Sequence, residues 1–68
     1  MLDNYNEITR SEFVENVNRN DLHELEIELG YSDEFKMEDD PYITYGEVQY
    51  KNQQIYFLSW SGIEYIFK

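Results

Sequence analysis

Tyr42-Ile43-Thr44-Tyr45-Gly46-Glu47-Val48-Gln49-Tyr50, Lys51-Asn52-Gln53, Gln54-Ile55-Tyr56-Phe57-Leu58-Ser59-Trp60, Ser61-Gly62, Ile63-Glu64-Tyr65-Ile66-Phe67: this closing run decides the fold. Three stretches rich in β-branched and aromatic residues alternate with short turn-forming groups, a pattern that suits strands. Connections of two or three residues are too short for a crossover, so successive strands must be antiparallel neighbours. The run predicts a three-stranded antiparallel meander over about 42–50, 54–60 and 63–67.

The middle strand carries a second message. Alternation puts Ile55 and Phe57 on one face, and Tyr56, Leu58 and Trp60 on the other. Both faces are apolar, whereas a sheet covered on one side normally turns polar residues outward. Either the rest of the chain wraps both faces, or one face meets a partner. A chain of 68 residues has little material with which to wrap both.

Upstream, the signals are helical. Thr9-Arg10-Ser11-Glu12 has capping-box spacing, with Ile8 and Phe13 at the staple positions around it. Phe13, Val14 and Val17 continue as one apolar stripe, predicting a helix over about 10–19 that closes at Arg19-Asn20. The stretch from Asp21 to Gly30 supports two readings. As a helix over about 21–29, Asp21 caps it, Leu22, Leu25 and Leu29 share a face, and Gly30 stands at the C′ position. As a strand, Leu25, Ile27, Leu29 and Tyr31 alternate with Glu24, Glu26 and Glu28, which accounts for Ile27 better. The cap, the glycine and the glutamates favour the helix, with the strand as the alternative. Residues 31–41 form a polar connection anchored by Tyr31, Phe35 and Met37, with one helical turn at Ser32–Phe35, and closed by Pro41. The fold class expected is α+β, one domain over 1–68.

Composition narrows the function. The chain has no cysteine, which removes disulfides and thiolate metal sites. Seven Tyr, four Phe and Trp60 instead supply large buried area per residue. The opening Met1–Glu7 lacks the basic and apolar regions of a secretory signal, and no stretch is long and apolar enough to span a bilayer. These features predict a soluble, cytoplasmic protein.

Net charge is −10 and unevenly spread. Residues 21–40 hold Asp21, Glu24, Glu26, Glu28, Asp33, Glu34, Glu38, Asp39 and Asp40 against Lys36 alone. Residues 41–68 are balanced, Glu47 and Glu64 against Lys51 and Lys68. Direct nucleic-acid binding depends on Lys and Arg neutralising phosphates, and an anionic membrane surface needs the same, so both are disfavoured. A basic protein surface is the partner this charge suits.

Catalytic chemistry finds little support. His23 is the lone histidine and reads as a solvated helix residue; Ser11, Ser32, Ser59 and Ser61 have no triad or elbow context. Gly30, Gly46 and Gly62 make no phosphate cradle, and the acids of 33–40 lack the alternation and central glycine of a calcium loop. No enzyme activity, cofactor or metal is expected. The candidate site is therefore a partner-binding one: Asp21, Glu24, Glu28, Asp33, Glu34, Glu38, Asp39 and Asp40, with Tyr56 and Trp60 as aromatic contacts. A solvated surface explains acidity in general, but not its concentration in one segment where the charges repel. Such a row can stand in for part of a nucleic-acid backbone.

In general character, short, cysteine-free, acidic and Tyr-rich, the chain resembles the small inhibitors of bacteriophages and mobile elements, including DNA-mimic and anti-CRISPR proteins. The acidic segment itself predicts that charge reversal at Glu24, Glu28, Asp39 and Asp40 abolishes binding. The resemblance implies a stoichiometric inhibitor occluding a basic nucleic-acid-binding site. It assigns no individual residue. The alternative is a regulatory or interaction module, or a homodimer, joined through the aromatic face of the sheet.

Overall fold

The structure, a computed structural model, describes residues 4–67. Its chain order is β1 (Asn6–Ile8), α1 (Arg10–Asn16), α2 (Arg19–Glu28), a 3₁₀ turn (Met37–Asp39), β2 (Thr44–Tyr50), β3 (Gln53–Trp60) and β4 (Ile63–Phe67). The fold is α+β, and its sheet has four strands where the sequence predicts three. The order is β1-β2-β3-β4, antiparallel throughout. The extra strand is β1, which extends the meander by pairing Ile8 with Tyr45 and Asn6 with Glu47.

Both hairpins turn in two residues. Lys51 and Asn52 have φ of 51° and 64°, and Ser61 and Gly62 have φ of 50° and 81°. Two consecutive left-handed residues match the right-handed strand twist, which fixes the register of β2–β3 and β3–β4. Gln53 therefore belongs to β3 and not to the turn.

The helices differ from expectation at their junction. Thr9 caps α1, its hydroxyl accepting from the Glu12 N–H at 3.2 Å. But α1 ends at Asn16, because Val17 is extended and Asn18 caps α2. The Asn18 side chain accepts from the N–H groups of Asn20 and Asp21, at 2.9 and 3.1 Å. Asn18, not Asp21, is thus the cap, and the Arg19-Asn20 boundary moves inside α2. At the other end the helical reading of 21–29 holds. The Tyr31 N–H reaches the Glu26 carbonyl and the Gly30 N–H reaches Ile27, with Gly30 at φ +91°, a Schellman closure.

Strand register sorts the sheet into two faces. Ile8, Tyr45, Leu58 and Tyr65 form one cross-strand row, flanked by Tyr56–Phe67 and Trp60–Ile63. This face packs under the helices. Phe13, Leu22, Leu25, Tyr31, Met37, Ile43, Tyr45, Leu58 and Phe67 form the core there. Phe13 sits at its centre, 4.9 Å from the Tyr45 ring and 5.2 Å from the Phe67 ring. Burying each such side chain contributes about 1.5–3 kcal/mol.

Among the described residues no helix lies over the opposite face. It carries Val48, Tyr50, Ile55, Phe57 and Ile66 at alternate positions. Phe57 is nevertheless only 3% exposed. Its ring lies over Gly46, its cross-strand partner, and Tyr5 meets it edge-on at 5.1 Å. Tyr50 and Ile66 stay open to solvent. The helices therefore wrap one face only.

Candidate partner-binding surface

Helix α2 sets the geometry of the acidic segment. Leu22 and Leu25 are buried and Leu29 half-buried, so the helical period assigns every other position to a flank or the outer face. Asp21, Glu24 and Glu28, at i, i+3 and i+7, fall on one flank, and all three are exposed. Asp21 and Leu25 line a groove of about 460 Å³ with Tyr65, Ile66 and Phe67, which places this flank beside β4. Ile27, the residue that the strand alternative explained, stands 61% exposed on the outer side.

Glu26 lies on the opposite flank, in different company. It lines an open groove of about 420 Å³ with Arg10, His23, Ile27, Asp33, Lys36 and Glu38. Charges of both signs meet here. Lys36 and Glu38 approach to 3.9 Å with both side chains half-exposed, a pairing of the kind worth little in water. Arg10 is committed elsewhere, its guanidinium donating to the Tyr45 hydroxyl at 2.7 Å. Burial pushes the Tyr45 hydroxyl pKa up, against the pull of Arg10.

The connection after Gly30 is tied down by polar side chains. The Trp60 indole N–H donates to the Tyr31 hydroxyl at 3.1 Å, and that hydroxyl donates to Asp40 at 2.6 Å. The other Asp40 oxygen accepts the Tyr42 N–H at 2.9 Å. The Tyr31 hydroxyl and the Tyr42 N–H together hold the Asp40 carboxyl below the usual aspartate range. Burial, and then the bond to Asp40, push the Tyr31 hydroxyl up. Ser32 shapes the bend, its Oγ accepting from the N–H groups of Glu34 and Phe35. The helical turn expected at Ser32–Phe35 forms instead at Met37–Asp39. Met37 is fully buried, while Phe35 stacks on Tyr31 and remains 59% exposed.

The structure therefore distributes the sequence-predicted acids over distinct places. Asp21, Glu24 and Glu28 share the β4 flank of α2; Asp33 and Glu38 line the mixed groove; Glu34 and Asp39 are exposed on the connection. Asp40 is a fastening point, half-buried against Tyr31. Tyr56 and Trp60 stand on the helix-covered face, both half-buried, so the uncovered face belongs to other residues. Sequence reasoning missed Tyr31 as the joint between loop and sheet. No local spacing announces a bond spanning residues 31 and 60.

Among the described residues no helix is long and apolar enough to cross a membrane. Nor does any group of three or more His, Asp or Glu among them stand ready for a metal ion. No protein-family model matches the chain, and no curated protein or solved structure does so either.

Proposed function

We propose that the protein is a non-catalytic inhibitor whose acidic surface occludes a basic nucleic-acid-binding site on a target protein, as DNA-mimic and anti-CRISPR proteins do. One observation carries this reading: Asp21, Glu24 and Glu28 line one exposed helical flank, with no ion pair to any of them among the described residues. Steps of three and four residues space the carboxylates about 4.5 and 6 Å apart along the axis. A duplex strand carries one charge per roughly 3.4 Å of axis, so the row offers a comparable, sparser line of anions. At physiological salt the screening length is about 8 Å, and neighbouring members act together on a cation at contact range. Like charges held this close cost stability, and a basic partner relieves that cost on binding.

The test is retention of proteins from a bacterial lysate on the immobilised chain, followed by an electrophoretic shift assay of the retained protein with its own nucleic acid. Retention should fall steeply with salt, and the chain should release the nucleic acid. Charge reversal at Glu24, Glu28 and Asp39 should abolish both effects. Asp40 is left intact, because its bonds to Tyr31 and Tyr42 support the fold. Undiminished inhibition by the reversed variant would end the proposal.

A second reading rests on the uncovered sheet face, where Tyr5, Tyr50 and Ile66 are each about half exposed. Strands β2, β3 and β4 come from the near-neutral part of the sequence, so two copies could meet without opposing their acidic segments. Sedimentation giving a monomer at high concentration removes it.

A further inference from the structure

Strand β4 ends the sheet, and among the described residues no strand pairs with its outer side. The two-residue turn at Ser61-Gly62 makes Trp60–Ile63 the closing hydrogen-bonded pair of the hairpin. Along an antiparallel ladder the bonding direction alternates, so Ile63, Tyr65 and Phe67 bond to β3. Glu64 and Ile66 consequently turn their N–H and C=O groups outward, away from the sheet. A row of unpaired backbone groups is a template for one further strand.

What lies above that edge decides the occupant. Asp21 and Leu25 meet Tyr65, Ile66 and Phe67 at one end of β4, in a groove of about 460 Å³. Beyond the other end of α2, Tyr31 is joined to Trp60, which pairs with the first residue of β4. Helix α2 thus runs alongside β4 in the opposite direction, and Asp21, Glu24 and Glu28 follow the strand edge for about 10 Å. Same-face side chains on an added strand recur every 6.6–6.8 Å or so, which brings two of them under this row.

The geometry points to an extended segment of a protein partner, with Lys or Arg at alternate positions, adding to the sheet along β4. Its backbone pairs with Glu64 and Ile66, and its basic side chains reach Asp21, Glu24 and Glu28. A second copy of this chain suits the edge poorly. Two molecules paired through β4 would set two of these acidic rows against each other. This inference rests on the protein being an anionic binder, and it names the class of segment that the anionic flank receives.

The test uses the full chain, isotopically labelled, and a synthetic peptide alternating lysine and valine. The peptide should bind more weakly as salt rises, shift the amide signals of β4 and α2, and slow hydrogen exchange at Glu64 and Ile66. Ile66→Pro removes one outward N–H and leaves the bonds to β3 in place. It should weaken peptide binding about tenfold or more, a loss of ~1.4 kcal/mol. Where the proline variant does not fold, exchange protection at Glu64 and Ile66 in the unaltered chain carries the decision. Binding that is equal in Ile66→Pro, or shifts confined to α2 with no protection in β4, overturns the strand addition and leaves the anionic surface standing. Binding that survives joint reversal of Asp21, Glu24 and Glu28 overturns the anionic surface itself. No binding of the peptide to the unaltered chain at low salt overturns the strand addition.

Discussion

Adding one methyl group at Gly46 should cost this protein a large part of its stability, and most of the cost should come from the ring across the strand. A Cβ at position 46 would stand 2.4 and 2.6 Å from Cζ and Cε1 of Phe57, and 3.1 Å from the Tyr5 ring. Carbon atoms in contact rest at about 3.5–4.0 Å, so the Phe57 ring must withdraw by about 1 Å or more. Overpacking of this kind costs typically 1–3 kcal/mol. Losing the edge-on contact with Tyr5 adds roughly 0.5–1.5 kcal/mol. Together these give about 1.5–4.5 kcal/mol, of which the strand preference for alanine over glycine offsets ~0.5–1 kcal/mol. Gly46→Ala should therefore destabilise by about 1–4 kcal/mol, against a total of roughly 3–10 kcal/mol for a domain of this length. In a Phe57→Val background the two closest contacts are gone and only the 3.1 Å approach to the Tyr5 ring remains. Set against a strand preference for alanine over glycine of ~0.5–1 kcal/mol, that leaves the same substitution close to neutral. Urea unfolding followed by far-ultraviolet circular dichroism on all four proteins closes the cycle. Equal costs of Gly46→Ala in both backgrounds would refute the packing of Phe57 over Gly46.

The joint at Tyr31 should give stability a specific acid limb. Because the Asp40 pKa is lowered in the folded chain, its contribution is complete above the usual aspartate range and is lost as pH falls through the lowered value. Urea midpoints measured against pH should show that limb, and Asp40→Asn should flatten it; an unchanged limb in the variant assigns the effect elsewhere. Tyr31→Phe should lower Tm by a few degrees at neutral pH, measured by calorimetry, since it removes both the donor to Asp40 and the acceptor for Trp60. Asn18→Ala should cost about 1 kcal/mol in urea unfolding, the usual loss for an N-cap, whereas Asp21→Ala should cost far less if Asn18 is the cap.

Much of the fold was legible because its signals are local. The meander announces itself through β-branched runs and turn residues, and Gly30 marks the end of α2 where the chain bends. What stayed hidden depended on contacts between distant residues. Asn6-Glu7-Ile8 has no periodic signal and becomes a strand only because β2 offers it an edge. The helix junction turned on two competing caps, Asn18 and Asp21; an extended Val17 lets Asn18 win. Alternation along β3 separated Tyr56 and Trp60 from Ile55 and Phe57, but only docking of the helices chose which set to cover. For the candidate site, the sequence placed the acids in one segment, and the helical spacing of Asp21, Glu24 and Glu28 was readable. That Glu26 turns toward Arg10 and that Asp40 fastens Tyr31 needed the tertiary arrangement.

The bond between Trp60 and Tyr31 turns the chain into its own optical instrument. Trp60 is the one tryptophan, and its indole is attached to the segment that leads into Asp40. Its emission accordingly responds when the acidic connection leaves the sheet, even where the sheet itself stays intact. A ligand that lifts the connection should shift that emission while leaving the backbone spectrum unaltered, so loosening of this one joint can be watched without attaching any dye.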